Sequence, residues 1–213
     1  MTDKNQKSEL KSIVAETDPF VVGVVADTHI PDRVDSLHPD LASVLIQNKV
    51  QLILHAGDLS TLAVIRELEQ IAPVLAVTGN RDFLLHKMLP FEQRMSIYGS
   101  EIVLVHGHIS PRIYWMDKVQ YIALGYSFER YQQRLANLYP SARVILFGHT
   151  HHPENRWVGE QLFFNPGAVS HGDYLDRTPY YGLLKFYKGG RIDAAINPLM
   201  GAQIHAKQWV QQR

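Results

Sequence analysis

The sequence predicts an α/β protein in which parallel strand–helix units are followed by antiparallel hairpins. Two observations support this prediction. Continuous apolar runs of strand length alternate with helical segments in the first half, and paired apolar runs flank short turns in the second half. A chain of 213 residues with 46% hydrophobic content is long enough for one domain with a sizeable core. We therefore expect two stacked sheets flanked by helices.

The first three strong strand patterns are continuously apolar, and each ends in a polar residue. Their sequences are FVVGVVAD, VQLILHAGD and APVLAVTGN, which end at Asp27, Asp58 and Asn80. Runs of this kind are typical of parallel strands that are buried on both faces. Helical patterns over residues 40–49 and 60–71 separate the three runs, as parallel connections require.

The second half of the chain has three hairpin patterns and one long helical pattern. The hairpins are predicted around the turns Gly99–Ser100, Gly159–Glu160 and Gly189–Gly190. Residues 115–139 have helical periodicity and many aromatic side chains, which favours a core or subunit-interface role. Alternatively, this segment lies beside the substrate cleft and influences specificity. The sequence also leaves open whether the protein forms a homo-oligomer.

The N-terminal segment differs in composition from the rest of the chain. Residues 1–18 are polar and mixed in charge, so we expect a flexible tail, with a short helix over residues 8–16 as the alternative. The tail lacks the apolar stretch and cleavage site of a signal peptide. We assign residues 19–213 to a single domain, and the absence of cysteine fits a reducing cytoplasm.

The overall charge excludes two classes of partner. Lysine plus arginine equals aspartate plus glutamate at 21 each, so the formal net charge is zero. No general field therefore attracts the protein to long nucleic acids or to an anionic membrane. The apolar run near the N-terminus, FVVGVVA, is too short to span a bilayer. Any attraction for phosphate must be local.

Metal-binding side chains recur where the predicted strands end, in the segments ADTH, HAGD, VTGN, VHGH and FGHTHH. Loops at the carboxyl ends of strands converge in α/β sheets, so these side chains are expected to lie close together. One aspartate or histidine alone would be explained by a cap, a turn or a loop hydrogen bond. Five such segments together predict a metal site.

The ligand types narrow the choice of metal. Imidazole and carboxylate ligands without sulfur suit manganese, iron, zinc, nickel or cobalt better than calcium or magnesium. Seven candidate ligands exceed what one tetrahedral ion needs, so we expect two divalent ions that share a carboxylate. Manganese is our first choice. The candidates are Asp27, His29, Asp58, Asn80, His106, His149 and His151.

The ordered motifs VADTHIPDR, HAGD, VTGNRD, VHGH, FGHTHHP and NPGA resemble those of the calcineurin-like metallophosphoesterases, especially the small YfcE-type phosphodiesterases. The resemblance covers roughly residues 20–198. It implies an αββα sandwich of two mixed sheets. It also implies that Asp58 bridges the two ions. One ion would take Asp27, His29 and His151, and the other would take Asn80, His106 and His149.

The same resemblance implies hydrolysis of a phosphoester by a hydroxide that two ions activate. Many calcineurin-like phosphatases have a histidine where this chain has Arg81. Arginine stays protonated and is a poor acid, but it can hold a phosphate oxygen. A surface Arg81 paired with Asp82 is the alternative. The change favours a small phosphodiester or nucleotide-like substrate over a monoester. His108 would protonate the leaving group or orient a neighbouring side chain.

Other functions on the same fold stay open. The resemblance extends to a retromer subunit that uses this fold as a non-catalytic protein-interaction scaffold, and to phosphomonoesterases and nucleases. Scaffold relatives tend to lose the motif histidines, whereas all seven candidate ligands are present here. The zero net charge and the lack of a basic tract disfavour a nuclease that acts on long nucleic acids.

Overall fold

The computed structural model describes residues 9–171 and 177–211, and these ranges contain thirteen strands and four helices. The strands of the first half are β1 (Leu10–Ser12), β2 (Phe20–Val25), β3 (Leu52–His55), β4 (Val74–Ala76), β5 (Glu92–Ile97) and β6 (Ser100–Val105). Those of the second half are β7 (Val144–Leu146), β8 (Glu154–Val158), β9 (Gln161–Asn165), β10 (Tyr180–Phe186), β11 (Ile192–Pro198), β12 (Ala202–His205) and β13 (Gln208–Gln211). The helices are α1 (Leu41–Gln47), α2 (Ala63–Leu68), α3 (Pro111–Leu124) and α4 (Phe128–Leu138).

Two mixed sheets form the centre of the molecule. The five-stranded sheet has the order β11-β10-β2-β3-β4, and β2, β3 and β4 are parallel. The six-stranded sheet has the order β1-β5-β6-β7-β9-β8, and β6, β7 and β9 are parallel. The hairpins β5–β6, β8–β9 and β10–β11 form at the three predicted turns. The predicted combination of parallel units and antiparallel hairpins is confirmed.

One apolar layer joins the two sheets. Val22 and Leu54 of the five-stranded sheet belong to the same buried cluster as Leu104 and Phe164 of the six-stranded sheet. Each of these four side chains is fully buried. Because strands β2 and β3 are covered on both faces, their sequences are continuously apolar rather than alternating.

Helices cover the outer face of each sheet. Leu45 of α1 and Leu68 of α2 pack with Ile53 on the outer face of the five-stranded sheet. Leu135 of α4 packs with Phe163 on the outer face of the six-stranded sheet. The layers are therefore helix, sheet, sheet and helix, which confirms the predicted αββα sandwich.

The helical segment predicted over residues 115–139 is two helices rather than one. Helix α3 ends at Gly125, whose φ of 75° is a conformation that L side chains rarely adopt. Helix α4 buries one face against the six-stranded sheet. Helix α3 instead exposes large apolar side chains, among them Trp115 and Ile122, which are 62% and 80% exposed. The shared periodicity concealed this difference in burial.

Part of the segment predicted as a flexible tail is a strand. Residues 10–12 form β1, which pairs in parallel with β5 at the edge of the six-stranded sheet. Its side chains are exposed, so backbone hydrogen bonds to the sheet edge hold it rather than an apolar pattern. Residues 9–16 contain no helix, and residues 1–8 lie outside the described residues.

A small third sheet follows the main sandwich, and the sequence analysis did not predict it. Strands β12 and β13 form an antiparallel hairpin. Ile204 and Trp209 from this hairpin pack against the cluster below α1 and α2, and the Trp209 indole donates a hydrogen bond to the Ser36 carbonyl. Among the described helices, none is both long enough and apolar enough to pass through a membrane.

Candidate metal centre

The loops after five strands bring all seven predicted ligands to one end of the sandwich. Asp27 and His29 follow β2, and Asp58 and Asn80 follow β3 and β4. His106 follows β6 directly, and His149 and His151 follow β7. All five are parallel strands, β2, β3 and β4 in one sheet and β6 and β7 in the other, and the side chains that follow them meet at one end of the sandwich. The side chains form two groups that share Asp58.

The first group contains Asp27, His29 and His151, which are all buried. The Nε2 atoms of the two histidines are 3.2 Å apart. Oδ1 of Asp27 lies 3.4 Å from Nε2 of His151 and 3.8 Å from Nε2 of His29. This buried carboxylate oxygen has no hydrogen-bond partner among the described residues. Two imidazole nitrogens that face an unpartnered carboxylate oxygen are an arrangement that a divalent cation fits.

The second group contains Asn80, His106 and His149. The side-chain oxygen of Asn80 lies 3.1 Å from Nε2 of His106 and 2.9 Å from Nδ1 of His149. Ring centroids of the two histidines are 5.1 Å apart and nearly perpendicular. One amide oxygen and two imidazole nitrogens thus converge from the ends of three strands.

Asp58 connects the two groups through its two carboxylate oxygens. Its Oδ2 lies 3.8 Å from Nε2 of His29, in the first group. Its Oδ1 lies 3.4 Å from Nε2 of His106, in the second group, and accepts a 2.8 Å hydrogen bond from the backbone N–H of Arg81. The side chain is buried, and its two oxygens face different groups. Each oxygen can therefore serve a different ion.

Backbone carbonyls orient two of the imidazoles. Nδ1 of His106 lies 2.7 Å from the carbonyl oxygen of Ala56, and Nδ1 of His151 lies 3.1 Å from that of His171. A carbonyl only accepts, so Nδ1 donates its proton in both contacts. This leaves Nε2 of each ring turned towards its group, which is the tautomer that a metal ligand needs.

The charges at the site are those of a cation-binding cluster. Burial raises the pKa of Asp27, but the adjacent imidazoles of His151 and His106 outweigh this effect and hold that pKa at about 2. Burial likewise opposes ionisation of Asp58, yet His106 and His29 hold its pKa well below its usual range. Burial lowers the pKa values of His29 and His149 to about 3. Both carboxylates are thus ionised and both of these imidazoles neutral at pH 7.

His106 differs from the other histidines of the cluster. Its burial lowers its pKa, but the adjacent carboxylates of Asp58 and Asp27 more than compensate and raise the pKa to about 9. Without a metal, a proton on this imidazole balances part of the negative charge of the two aspartates. A divalent cation supplies the same compensation and takes the place of that proton.

The backbone around the site is held in conformations that non-glycine residues seldom adopt. Asp27, His29, Asp58, His149 and His151 have φ values between 50° and 71°. Such conformations are uncommon outside glycine and cluster at functional sites. Five of the seven predicted ligands have such conformations, because the backbone must turn sharply at the end of each strand to direct the ligand side chain inward.

Two motif glycines leave room for the carboxylates. A Cβ atom on Gly79 would overlap Oδ1 and the backbone nitrogen of Asp58, and one on Gly148 would lie 2.8 Å from Oδ2 of Asp27. The close approach of backbone to ligand therefore explains both glycines.

Asp82 is a structural centre of the site that the sequence analysis missed. It is buried, and its carboxylate accepts hydrogen bonds of 2.7–2.9 Å from the backbone N–H groups of Gly79, Asp58 and Ser60. The alternative of a surface Arg81–Asp82 ion pair is therefore wrong. The Arg81 side chain instead lines the cleft and is exposed.

His108 lies beside the second group but is turned away from the solvent. Its ring centroid is 5.3 Å from that of His106 and 6.2 Å from that of His149. Burial, followed by the charge of His106, lowers the pKa of His108 to about 4. A neutral imidazole supports the orienting role more than the role of a proton donor.

Two further histidines are accounted for without a metal. His55 is fully buried between Oγ1 of Thr28 and the backbone N–H of Gly57. His152 is partly buried and stacks on Tyr126 with ring centroids 3.9 Å apart.

A cleft of about 930 Å³ opens above the cluster. Asp58, Asn80, His149 and His151 form part of its floor. Its walls carry three arginines (Arg33, Arg81 and Arg177), four tyrosines of the α3–α4 region (Tyr114, Tyr121, Tyr126 and Tyr131), and Trp209 of the third sheet. The volume is large enough for a small organic phosphate. The position beside the cleft that the sequence left open for residues 115–139 is therefore the one that part of this segment occupies. The arginines and Trp209 were not predictable, because they come from segments that are far apart along the chain.

The sequence of this chain is similar to those of known proteins. A family model described as the calcineurin-like phosphoesterase superfamily domain matches residues 20–188. A probable metallophosphoesterase of Methanothermobacter thermautotrophicus is 34% identical over 177 residues, which are 83% of this chain and 91% of that protein. A phosphodiesterase of Methanocaldococcus jannaschii is 27% identical over 165 residues, 76% of this chain and 91% of that protein.

Solved structures resemble the fold. The crystal structure of Vps29 from Chaetomium thermophilum superimposes with a TM-score of 0.63 at 19% identity, covering 86% of this chain and 97% of that one. At this level of identity the match concerns the fold and not the activity.

Proposed function

Because the chain belongs to the calcineurin-like phosphoesterase superfamily, we propose that it hydrolyses small phosphodiesters with two divalent metal ions. The single observation that carries this proposal is the convergence of two ligand groups on Asp58, whose two oxygens face His29 in one group and His106 in the other. A protein-interaction scaffold has no need of six further ligand side chains around one shared carboxylate. The absence of cysteine supports a reducing, cytoplasmic location.

The ligands divide between the ions as follows. Asp27, His29 and His151 would hold the first ion, Asn80, His106 and His149 would hold the second, and Asp58, which faces both groups, would be shared between them. Mixed nitrogen and oxygen ligands without sulfur favour manganese, with iron, zinc, nickel and cobalt as alternatives.

The bound ions supply Lewis-acid polarisation of the phosphoryl oxygens and activate a water molecule at neutral pH. The chain itself binds and orients the substrate. Arg81 lies at the cleft with its backbone tied to Asp58, so its guanidinium can pair with a phosphate oxygen. We assign a catalytic role to Arg81 as this phosphate-binding group, and we assign His108 to orientation of His106 and His149.

A diester fits this set of residues better than a monoester. The residue that follows Asn80 is an arginine, which cannot donate a proton to a departing alkoxide. His108 is neutral at pH 7 for the reason given above. The site therefore favours leaving groups that need little protonation.

The test begins with protein dialysed free of metal and reconstituted with Mn²⁺, Mg²⁺, Zn²⁺, Ni²⁺ or Co²⁺. We expect about two ions per chain by elemental analysis, and faster hydrolysis of bis(p-nitrophenyl) phosphate than of p-nitrophenyl phosphate. Asp58→Asn should lower kcat/KM more than about 100-fold. This loss exceeds the one caused by mutating a residue that only hydrogen-bonds to a metal ligand.

Asp193→Asn is the matched control, because Asp193 is an exposed aspartate on β11 that pairs with Arg191. It should keep both the metal content and the activity. A chain that binds no metal and hydrolyses neither ester would instead be a scaffold.

A further inference from the structure

Helix α3 presents its polar and aromatic face to the cleft and its aliphatic face to the solvent. Tyr114, Asp117, Lys118 and Tyr121 line the cleft and recur at the spacing of one helical face. Trp115, on another face of the helix, is 62% exposed. Core packing does not explain this orientation, because packing against a core would bury the apolar side chains of the helix, and here they are exposed. Its cleft face is the part that is positioned against the site.

Tyr114 lies against the second ligand group. Its ring centroid is 5.7 Å from that of His149, with an angle of 58° between the planes. The buried ring of Tyr131 lies behind it, 6.5 Å from His149. Farther along the same wall, Tyr126 stacks on His152. A row of aromatic rings therefore extends from His149 along one wall of the cleft.

Specific contacts hold this wall in place. The carboxylate of Asp117 receives two hydrogen bonds of 2.7 Å from Arg134 of α4, and Asp117 is buried. Paired contacts of this kind between a guanidinium and a carboxylate fix orientation as well as distance. Nζ of Lys118 lies 5.7 Å from the ring centre of Tyr114 and 5.4 Å from that of Trp115. Tyr114 is therefore set at a defined distance from His149 before any substrate binds.

The position of this ring relates it to one part of a bound diester. If the phosphoryl group lies over the two ligand groups, as the proposed function requires, one of its two ester groups is directed along the wall that begins at Tyr114. A planar aromatic group can stack on that ring, whereas an alkyl or sugar group gains little from it. The nearby ammonium of Lys118 adds positive charge where the ligand is anionic.

We propose that Tyr114 is the specificity-determining residue of an aromatic subsite, and that it selects diesters in which one ester group carries a planar ring, such as the base of a nucleoside. This inference rests on the proposed function. It adds the residue that recognises the ester group, and it names the ring as the part of that group that is recognised.

Binding of two product-like ligands tests the subsite without relying on turnover. Adenosine 5′-monophosphate and ribose 5-phosphate share the phosphate and the sugar and differ in the base. By titration calorimetry with the Mn²⁺-loaded protein, we expect the nucleotide to bind about tenfold more tightly, a typical effect of stacking one base. Tyr114→Ala should remove this difference while ribose 5-phosphate binds as before.

Two variants identify the ring as the cause. Tyr114→Phe keeps the ring and should keep the difference between the two ligands. Tyr187→Ala removes a tyrosine that also lies against a cation, Arg191 at 3.8 Å, but that lies in the β10–β11 turn away from the cleft residues. It should leave both affinities unchanged. Circular dichroism of each variant checks that α3 is intact.

The inference is overturned if the wild-type protein binds both ligands equally, or if Tyr114→Ala weakens both by the same factor. Either result with continued hydrolysis of bis(p-nitrophenyl) phosphate leaves the proposed function standing. If the wild-type protein binds neither the nucleotide nor ribose 5-phosphate and also hydrolyses no ester, the proposed function is overturned as well.

Discussion

At the scale of single residues, Gly79 controls the position of the shared carboxylate. The backbone of Gly79 donates a hydrogen bond to Asp82 and lies so close to Asp58 that no side chain fits between them. Asp58 in turn faces both ligand groups. A displacement of Asp58 would therefore disturb both ligand groups at once.

Replacement of this glycine by alanine tests that dependence. Gly79→Ala should destabilise the fold by about 3 kcal/mol, since the added methyl group must displace a buried carboxylate and its backbone. It should also reduce the bound metal measured by elemental analysis. In Gly189→Ala, the added methyl group meets no atom within 4 Å. This variant should match the wild-type protein in urea unfolding and in metal content, and an equal loss in both variants would contradict the argument.

The sequence predicted the candidate ligands better than their supports. All seven candidates follow strands and carry atoms that bind metals, so the pattern alone placed them near one another. Asp82 has an equally important position, but an aspartate two residues after Asn80 has the same appearance whether it forms an ion pair or accepts backbone hydrogen bonds. Tyr114 gave no signal either, because its neighbour His149 is 35 positions away along the chain.

At the scale of elements, α3 and α4 have opposite relationships to the core. Leu135 of α4 is 1% exposed and belongs to the cluster on the outer face of the six-stranded sheet. Ile122 of α3 is 80% exposed. Although both helices are rich in apolar residues, only α4 contributes its apolar face to the stability of the sandwich.

Truncation of one aliphatic side chain in each helix measures this difference. Leu135→Ala should lower the free energy of unfolding by about 2–5 kcal/mol, because it leaves a cavity in a packed layer. Ile122→Ala should change it by less than about 0.5 kcal/mol, as is usual for surface substitutions. Urea denaturation followed by circular dichroism gives both values. A similar loss in both variants would mean that α3 is buried in solution.

Strands with an apolar pattern were predictable, and strands without one were not. The buried strands β2 and β3 and the partly buried strand β4 coincide with the apolar runs of the sequence. Strand β1 has the sequence LKS with every side chain exposed, so only its hydrogen bonds to β5 make it a strand. The β12–β13 hairpin is similarly polar, and its turn at residues 206–207 has no glycine to indicate it.

At the scale of the whole molecule, buried histidines make the stability of the metal-free protein depend on pH in two directions. Burial lowers the pKa of His55 to about 4 and those of His29 and His149 to about 3, against an ordinary value of 6.5. Below pH 6.5 the unfolded chain therefore binds more protons than the folded one. His106 affects the pH dependence of stability in the opposite direction. Because its pKa in the folded chain is about 9, the folded chain binds more protons than the unfolded chain above pH 6.5.

The free energy of unfolding of the metal-free protein should therefore be greatest near pH 6.5. It should fall towards pH 4 as the unfolded chain takes up protons, and towards pH 9 as the folded chain loses the proton of His106. Each histidine contributes about 1.4 kcal/mol per pH unit within its own window. Urea unfolding at pH 5, 6.5 and 8.5 gives the profile.

His55→Gln isolates one of these contributions. It should reduce the loss between pH 6.5 and pH 5 by about 1.4 kcal/mol per unit, with no change of the loss at alkaline pH. His205→Gln is the control, since His205 is exposed on β12, and should leave the profile unchanged. A profile for His55→Gln identical to that of the wild-type protein would contradict the burial argument.

The three hydrogen bonds to Asp82 have a consequence for how this site can be transferred or redesigned. A single carboxylate ties the loop after β3, at Asp58 and Ser60, to the loop after β4, at Gly79. The two loops must therefore be transferred together, although Gly79 lies 21 positions after Asp58 along the chain. A graft that carries one loop into another sandwich without its counterpart would bring the ligand side chain but lose the frame that aims it.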